Sequence, residues 1–270
     1  MPFLKVPDAN LFYDRAGTQG PCVLLVQGVG CVGEGWRPQI DDLSRDHQVA
    51  WLDNRGIGQS VPCTGPVTIG TQADDCLRLL DHLGWSRAHL VGHSMGGVIV
   101  QDAARAHPEK VASLSLMSTV RRGRDAAIPS WANLKISLGL LFGSERERWL
   151  KAAALPFPAP FLARLPDDEK LRLVQMIFCR DFLTTPPVVK QQLGALFRHT
   201  GGESSALRHI PTLIVTGGCD IVVSTRYSDD LHSYLPGSRL ERFPDAGHGV
   251  PLSHSTAVSQ LVRDHVRRAP

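Results

Sequence analysis

The hydrophobic pattern alternates between short unbroken apolar runs and longer stretches with a helical period. The first strong run is CVLLVQ at residues 22–27, and similar runs occupy residues 49–52, 89–91, 111–117 and 212–216. A short, unbroken apolar run is typical of a parallel strand that is covered on both faces. The pattern therefore predicts a set of buried parallel strands.

Helix-length segments separate these runs. After residues 49–52, apolar residues recur at steps of three and four positions, which marks the buried face of one helix. Strands joined by helical crossovers imply a mainly parallel sheet with helices on both sides. Such sheets bind ligands beyond the carboxyl ends of their strands, so chemistry is expected in the loops after the runs. The helix positions are Ile69, Ala73, Cys76, Leu77, Leu80 and Leu83.

Residues 121–205 have helical periods but no strand-like run. One period covers residues 131–142 and a second covers residues 171–178, after which Pro186 and Pro187 are expected to end the helix. Long strand-free insertions are uncommon unless they are functional. We therefore predict a helical cap at 121–205 over a core formed by 1–120 and 206–270. The alternative is that these helices extend the helical layer of the core.

Composition limits the partners. The 270 residues carry 29 Lys and Arg against 26 Asp and Glu, which gives a formal net charge of +3. This balance marks neither a nucleic-acid nor an acidic-membrane surface, so we expect a small, roughly neutral substrate. No apolar stretch has the form of a membrane span or a signal peptide, and we expect a cytoplasmic protein. The six cysteines show no Cys-x-x-Cys pair or zinc spacing, so reduced thiols, no metal and no cofactor are expected.

The strongest local signal is HLVGHSMGG at residues 89–97, where a strand leads through GHSMG into an apolar helix. Gly-x-Ser-x-Gly between a strand and a helix is the nucleophile elbow motif. A residue on so sharp a turn has strained dihedral angles, and side chains at Gly92 and Gly96 would collide with neighbouring backbone. Ser94 is therefore the candidate nucleophile. The helix that begins at Met95 would direct its N-terminal dipole at an oxyanion.

A serine hydroxyl needs a base to take its proton, and the base needs an acid that fixes its tautomer. Asp220 follows the run at 212–216, and His248 lies between two glycines in PDAGHGV, after a strand-like segment at 239–243. The chain order Ser94, Asp220, His248 is that of α/β hydrolases and differs from the other two common triad orders. These residues are the predicted nucleophile, orienting acid and base.

Other residues compete for these roles. Asp245 is a rival acid, but its distance of three residues from His248 and its turn propensity favour a turn former. His93 precedes the nucleophile and is expected to face away from it. His254 is expected near the start of the last helix.

Together these segments resemble the α/β-hydrolase superfamily with an inserted cap, over nearly the whole chain. GVG at 28–30, with the later Trp36, resembles the family's oxyanion loop. DNRGIGQS at 53–60 resembles its D-x-R-G-x-G-x-S segment, and DAGHG resembles the loop of its catalytic histidine. The resemblance implies an α/β fold, with a mainly parallel central sheet flanked by helices, and an oxyanion hole formed by the amides of Val29 and Met95.

The sequence departs from this family at Gln27, where a histidine usually precedes the glycine of the oxyanion loop. Glutamine can donate and accept hydrogen bonds and so hold the loop. We interpret Gln27 as a structural variant, because the oxyanion donors are backbone amides, and we also assign it as a candidate substrate contact. Arg55 is expected to be solvent-facing or ion-paired rather than a substrate anchor.

The predicted reaction is hydrolysis of a carboxylic ester or lactone through an acyl-enzyme. Ser94 argues against epoxide hydrolases and haloalkane dehalogenases, which resemble this fold but attack with a carboxylate. Carbon-carbon bond hydrolases, aminopeptidases and cofactor-free perhydrolases use the same triad and stay open. A non-hydrolytic small-molecule receptor on the same fold is the alternative of another class.

Aromatic residues of the predicted cap indicate a partly hydrophobic substrate. Helix-spaced aromatics normally pack inward, so each is expected first of all in the core of the cap. Trp131, Phe142 and Phe178 are in addition assigned as candidate substrate contacts. The aromatic set is Trp131, Phe142, Trp149, Phe157, Phe161 and Phe178.

Overall fold

The structure is a computed structural model that describes residues 2–127, 130–180, 182–184 and 186–269. Within these residues the chain forms one eight-stranded sheet. Its strands are β1 (Phe3–Val6), β2 (Ala9–Ala16), β3 (Cys22–Val26), β4 (Gln48–Leu52), β5 (Ala88–His93), β6 (Val111–Met117), β7 (Thr212–Gly217) and β8 (Arg239–Phe243). The spatial order is β1-β2-β4-β3-β5-β6-β7-β8, with β1 and β2 antiparallel to their neighbours and every other pair parallel.

The five apolar runs locate β3 to β7 correctly, with small shifts at the strand ends, and the strand-like segment at 239–243 is β8. They miss β1 and β2, which form the edge of the sheet. β1 is exposed on alternate residues, and β2 carries the charged pair Asp14 and Arg15 near its end. Strands of this kind lack the continuous apolar run of a strand that is covered on both faces.

Helices cover both faces of the sheet. Neighbouring residues of β3 point to opposite sides: Leu24 packs in a core cluster with α2 and α3, whereas Leu25 packs in a cluster with α1 and α11. The mainly parallel, two-sided fold predicted from the sequence is confirmed. The helices are α1 (Arg37–Leu43), α2 (Ile69–His82), α3 (Met95–Ala106), α4 (Trp131–Gly139), α5 (Glu145–Ala152), α6 (Ala159–Leu162), α7 (Asp167–Ile177), α8 (Pro187–Arg198), α9 (Arg226–Tyr234), α10 (Val250–Ser253) and α11 (Ser255–Arg268).

The helix predicted from residue 69 onward is α2. Thr68 caps it, because its hydroxyl accepts the N–H of Thr71 while the Thr71 hydroxyl accepts the N–H of Thr68. The predicted apolar face is the buried face, from Ile69 to Leu80. Its last predicted position, Leu83, lies just beyond the helix and is half-buried.

The described residues between β6 and β7 form α4 to α8 and short 3₁₀ turns, with no named strand. We call residues 121–205 the insertion, the bounds predicted for the cap. One detail of the prediction is wrong, since α7 ends at Ile177 and Pro187 is the first residue of α8. Proline suits the first position of a helix because its missing N–H would have no intrahelical partner there.

The six aromatic residues predicted to pack inside the cap divide into two groups. Trp149, Phe157 and Phe178 are buried in a cluster built mainly by α5 and α7, and Phe161 packs half-buried against it, as expected. Inward packing is wrong for Trp131 and Phe142, which are 86% and 70% exposed. α4 touches α5 but contributes no residue to this cluster and has no buried residue, so its apolar period stays largely uncovered.

The cysteines and the apolar character of the helices were also predicted from the sequence. None of the six cysteines forms a disulfide, and Cys31, Cys76 and Cys179 are buried, whereas Cys219 is exposed. Burial raises the pKa of the Cys31 and Cys76 thiols, which keeps them protonated and unreactive. In the described part of the chain, no helix combines the length and the apolar character that a membrane crossing requires.

Arg55 is ion-paired, one of the two structural roles expected for it. Its Nε and Nη2 atoms donate to the two carboxylate oxygens of Asp75 at 2.7 and 2.6 Å. Both side chains are buried, so this pair links the segment after β4 to α2 inside the protein. A buried pair of this kind is damaging to break, because the remaining charge has no compensation.

We expect Asp75→Asn to lower the free energy of unfolding by about 3–5 kcal/mol, measured by urea unfolding at neutral pH. The matched control is Asp168→Asn, which removes a pair with Arg146 whose side chains are 79% and 53% exposed. An exposed pair contributes about 0–1 kcal/mol, so the control is expected to stay near the wild type. Equal losses in the two variants would contradict a stabilising role for the buried pair.

Candidate active site

Ser94 lies on a sharp turn between β5 and α3. Its dihedral angles are φ 54° and ψ −123°, an unfavourable conformation for a residue with a side chain. A Cβ atom at Gly96 would lie 2.2 Å from the carbonyl oxygen of Val26, and one at Gly92 would lie 2.5 Å from the carbonyl oxygen of Gly96. The collisions predicted for these two positions are confirmed, and they explain why the turn requires glycine.

Hydrogen bonds from the end of β6 hold this strained residue. The N–H of Ser94 donates to the carbonyl of Met117 at 2.9 Å, and the hydroxyl of Thr119 donates to the carbonyl of Ser94 at 2.6 Å. Strained conformations persist only where the surrounding structure fixes them in this way. The Ser94 side chain is consequently presented at the carboxyl end of the sheet, and the residue is half-buried.

Asp220 and His248 lie side by side in the loops that follow β7 and β8. The His248 Nδ1 atom donates to Asp220 Oδ2 at 2.8 Å, and Asp220 Oδ1 accepts the N–H groups of Val222 and Val223, both at 2.8 Å. The Asp220 side chain is fully buried. Because the carboxylate only accepts, the proton of the imidazole is on Nδ1 and Nε2 is free to act as a base.

His93 connects His248 to the elbow. Its Nε2 atom donates to the backbone carbonyl of His248 at 2.8 Å, and the two ring centroids are 4.7 Å apart. Burial and, to a smaller extent, the nearby His248 ring together lower the pKa of His93 to about 3. His93 is therefore neutral at physiological pH. Sequence reasoning assigned it no role, because no local pattern reports a contact with a residue so far along the chain.

The structure brings Asp220 to His248 and holds His248 against the elbow through His93. It records no hydrogen bond between Ser94 Oγ and His248 Nε2, although both residues are among those described. Such catalytic hydrogen bonds are often long without substrate and tighten in the substrate complex. The roles of Ser94, Asp220 and His248 stay predictions at this point.

Asp245, the rival acid, lies in a turn as expected. Its carboxylate is 77% exposed and faces His254 Nε2 at 3.2 Å. His254 precedes α11, which also agrees with its predicted place.

The loop after β3 lies directly against the elbow. A Cβ atom at Gly28 would lie 2.9 Å from Ser94 Cβ and 3.3 Å from Ser94 Oγ. Val29 follows Gly28, and Met95 is the first residue of α3, where an N–H group has no intrahelical acceptor. This placement is compatible with an oxyanion hole made by the Val29 and Met95 amides, which stays a prediction.

The DNRGIGQS segment braces both ends of this loop. Asp53 Oδ1 accepts the N–H of Gly33 at 2.7 Å, and its Oδ2 accepts the N–H of Gln59 at 2.8 Å. The Asn54 amide donates to the carbonyl of Gln27 at 2.9 Å. Sequence reasoning matched this segment to the family but missed that it braces the loop. The signal that could have found this role is the position of polar residues directly after a buried strand.

Gln27 is buried and its side chain stays within the loop region. Its Oε1 atom accepts the N–H of Gly28 at 3.4 Å, a long bond, and a Cβ atom at Gly35 would lie 2.8 Å from its Nε2 atom. These contacts agree with the structural interpretation of Gln27. Its assignment as a substrate contact stays a prediction.

Phe178 lies where the insertion meets the loop after β3. Its ring stacks on Phe182 with centroids 3.9 Å apart, and its backbone pairs with Cys31 in an isolated antiparallel bridge. A cavity of about 510 Å³ opens beside it, lined also by Trp149 and Arg180. The residues that line this cavity do not include Ser94, Asp220 or His248, so the assignment of Phe178 as a substrate contact stays a prediction. Trp131 and Phe142, the other two assigned aromatics, are exposed.

The fold and the elbow define an α/β hydrolase. Residues 21–255 match the model of the alpha/beta hydrolase fold family, and the chain belongs to that family. The protein is a hydrolase, as the resemblance implied.

Individual relatives cover almost the whole chain. RutD of Azorhizobium caulinodans, which is named as a carbamate hydrolase, is 29% identical over 252 residues, covering 92% of this chain and 91% of that protein. The structure of a hydrolase from Pseudomonas aeruginosa PA01 is 27% identical with a TM-score of 0.78 and covers 98% of this chain and 97% of its own. The enol-lactonase of Burkholderia xenovorans LB400 has a TM-score of 0.80 at 23% identity and covers 99% of this chain and 100% of its own, a likeness of fold.

The lowered pKa of His93 predicts acid sensitivity. An unfolded chain binds a proton at this imidazole below its ordinary pKa of 6.5, whereas the folded protein excludes it down to about pH 3. The folding stability that depends on a neutral His93 is therefore fully present above pH 6.5. It is lost progressively as the pH falls from 6.5 to about 3.

We expect His93→Gln to flatten the pH dependence of unfolding by about 1 kcal/mol per pH unit between roughly pH 4.5 and 6. Urea unfolding at several pH values in this window measures the slope. His107→Gln, at a half-exposed histidine, is the control and should keep the wild-type slope. An unchanged slope in His93→Gln would show that this imidazole is not a source of the acid sensitivity.

Proposed function

We propose that this protein is a serine hydrolase that cleaves a carboxylic ester or lactone of a small, partly hydrophobic substrate. The proposed triad is Ser94, His248 and Asp220. The observation that carries the proposal is the 2.8 Å contact between His248 Nδ1 and Asp220 Oδ2, beside the strained turn that presents Ser94. This is the pairing that orients a catalytic imidazole and stabilises its positive charge when it accepts a proton.

In the first half-reaction, His248 Nε2 takes the proton of Ser94 as Oγ attacks the carbonyl carbon of the substrate. The carbonyl oxygen becomes an oxyanion, which accepts hydrogen bonds from the amides of Val29 and Met95. The tetrahedral intermediate then collapses, the carbon–oxygen bond to the alcohol breaks, and the alcohol leaves with the proton from His248. The acyl group remains on Ser94 as an ester.

In the second half-reaction, His248 Nε2 removes a proton from water, whose oxygen attacks the acyl carbon. The same two amides stabilise the second oxyanion. Collapse of this intermediate releases the carboxylic acid and returns the proton to Ser94 Oγ. Asp220 keeps the imidazole in the Nδ1-protonated form throughout, so that Nε2 faces the reacting atoms in both halves.

Carbamate hydrolysis is the second candidate. The supporting observation is the 29% identity, over 92% of this chain, with RutD, which is named as a carbamate hydrolase. Attack on a carbamate carbonyl uses the same nucleophile, base and oxyanion donors, and only the leaving group and its pocket differ. A panel of aryl esters, lactones, carbamates and vinylogous diketones, followed by product formation, separates the candidates.

We expect Ser94→Ala to lower kcat/KM for the best substrate of that panel by about 10⁴-fold or more, as loss of a triad nucleophile does elsewhere. Ser259→Ala is the matched control, since this serine is fully buried in α11 and its hydroxyl has no partner among the described residues. Near-wild-type turnover by Ser94→Ala would refute the proposal. Covalent labelling of Ser94 by a fluorophosphonate without any multiple turnover would favour a receptor.

Two asparagine variants test the acid. Asp220→Asn is expected to lower kcat by roughly 10⁴-fold, because an amide at this position favours the wrong imidazole tautomer. Asp245→Asn, at the exposed rival acid, should leave kcat within about twofold of the wild type. Steady-state kinetics of both variants decide between the two acids, and a large loss confined to Asp245→Asn would reverse the assignment.

A further inference from the structure

The oxyanion loop, defined as residues 28–32 between the flanking Gln27 and Gly33, is held at its centre by the insertion. The N–H of Gly30 donates to Gln192 Oε1 at 2.9 Å, and the carbonyl of Gly30 accepts the N–H of Cys179 at 2.8 Å. Both backbone polar groups of this residue are therefore bound by residues between β6 and β7. Gly30 directly follows Val29, whose amide is a proposed oxyanion donor.

Bonds from the core hold the loop less directly. Within the loop region, the Gly28 N–H reaches Gln27 Oε1 only at 3.4 Å, and the Cys31 N–H reaches the Gly28 carbonyl at the same distance. The shorter bonds from Asp53 and Asn54 reach Gly33 and Gln27, which flank the loop. The core thus fixes the ends, and the two short bonds to Gly30 fix the middle.

Packing leaves Gly30 little freedom. Its φ of +68° is in the left-handed region that favours glycine, and a Cβ atom there would lie 2.7 Å from the ring of Phe182. The peptide between Val29 and Gly30 is thereby confined between the sheet and the insertion. The Val29 N–H belongs to the preceding peptide, so Gly30 acts on its direction through the two backbone dihedral angles of Val29.

Gln192 lies on the buried face of α8 and has no exposed surface. Its Nε2 atom has no hydrogen-bond partner among the described residues. An unpartnered buried polar group costs about 1–3 kcal/mol, so it calls for an explanation. The Gly30 N–H donates to the other end of this side chain, Gln192 Oε1. This hydrogen bond explains why a polar residue stands at this buried position.

We propose that Gln192 is a positioning residue that holds the oxyanion loop in its reactive conformation from the insertion. The proposal rests on the proposed function, because it acts through the Val29 amide. Donors that are fixed in advance toward a developing charge stabilise the transition state without reorganisation. Loss of the Gln192 acceptor therefore lowers kcat and leaves substrate binding almost unchanged.

The test compares three variants with an aryl ester by steady-state kinetics. Gln192→Met keeps the length and apolar volume but removes the acceptor, and kcat is expected to fall by about 10- to 100-fold with KM within about twofold. Gln192→Glu keeps an acceptor oxygen toward Gly30 but places a carboxyl at a fully buried site. Burial favours the neutral carboxyl, which accepts from the Gly30 N–H without adding a charge, so kcat is expected to exceed that of Gln192→Met. Gln192→Asn is one methylene shorter, so its oxygen lies farther from the Gly30 N–H. This variant is tested in place of Gln192→Met if that variant fails to fold.

Gln72→Met is the matched control. Gln72 is equally buried and its Nε2 atom donates to the Thr68 carbonyl at 3.0 Å at the start of α2, away from the loop. It loses a buried hydrogen bond as Gln192→Met does, so thermal unfolding of both reports the shared structural cost. Only the Gln192 variant is expected to lose kcat and to slow fluorophosphonate labelling of Ser94 in proportion.

The outcomes separate the two proposals. A wild type with neither Ser94-dependent turnover nor Ser94 labelling refutes the proposed function and this inference with it. An active wild type whose kcat survives Gln192→Met refutes the inference alone. A kcat loss that Gln72→Met shares, or one that is matched by an equal change in KM, also overturns it by showing that packing or stability is responsible.

Discussion

The close contact between the end of β3 and the start of α3 is the constraint on which the site depends. The position of Gly96 leaves no room for a Cβ atom beside the carbonyl of Val26, and Gly28 is pressed against the Ser94 side chain. A side chain at either glycine would push the two elements apart. Because they touch, the loop that begins at Gly28 lies directly beside Ser94, as the proposed oxyanion hole requires.

Parallel strands bring the remaining groups to the same edge. Asp220 follows β7 and His248 follows β8, and neighbouring parallel strands end on the same side of the sheet. The fully buried Asp220 carboxylate accepts two backbone N–H groups from its own loop, which fixes it before it meets the imidazole. His93, from the end of β5, then ties the backbone of His248 to the elbow. The sheet therefore sets which segments lie next to each other, and short contacts in the loops set the orientations of the Asp220 and His248 side chains.

Sequence reasoning predicts the parts of this arrangement that leave a local pattern. Buried strands and the elbow do so, because continuous apolar runs and paired glycines follow from nearby packing. The edge strands β1 and β2 do not, since one-sided burial breaks the run. α4 shows a second limit: its apolar period is real, but a period cannot say whether another layer covers it, and Trp131 is 86% exposed. Contacts such as Gln192 to Gly30 join distant segments and have no local signature.

The insertion takes a larger part in the site than a cover over a finished core would. The core fixes both ends of the oxyanion loop and presents Ser94, whereas Cys179 and Gln192 hold the middle of that loop. Residues of the insertion consequently pack in one unit with the residue that follows Val29, a proposed oxyanion donor. On the proposed function, a change in α8 that alters substrate fit would also act on Gly30 through Gln192, which would couple specificity to transition-state stabilisation.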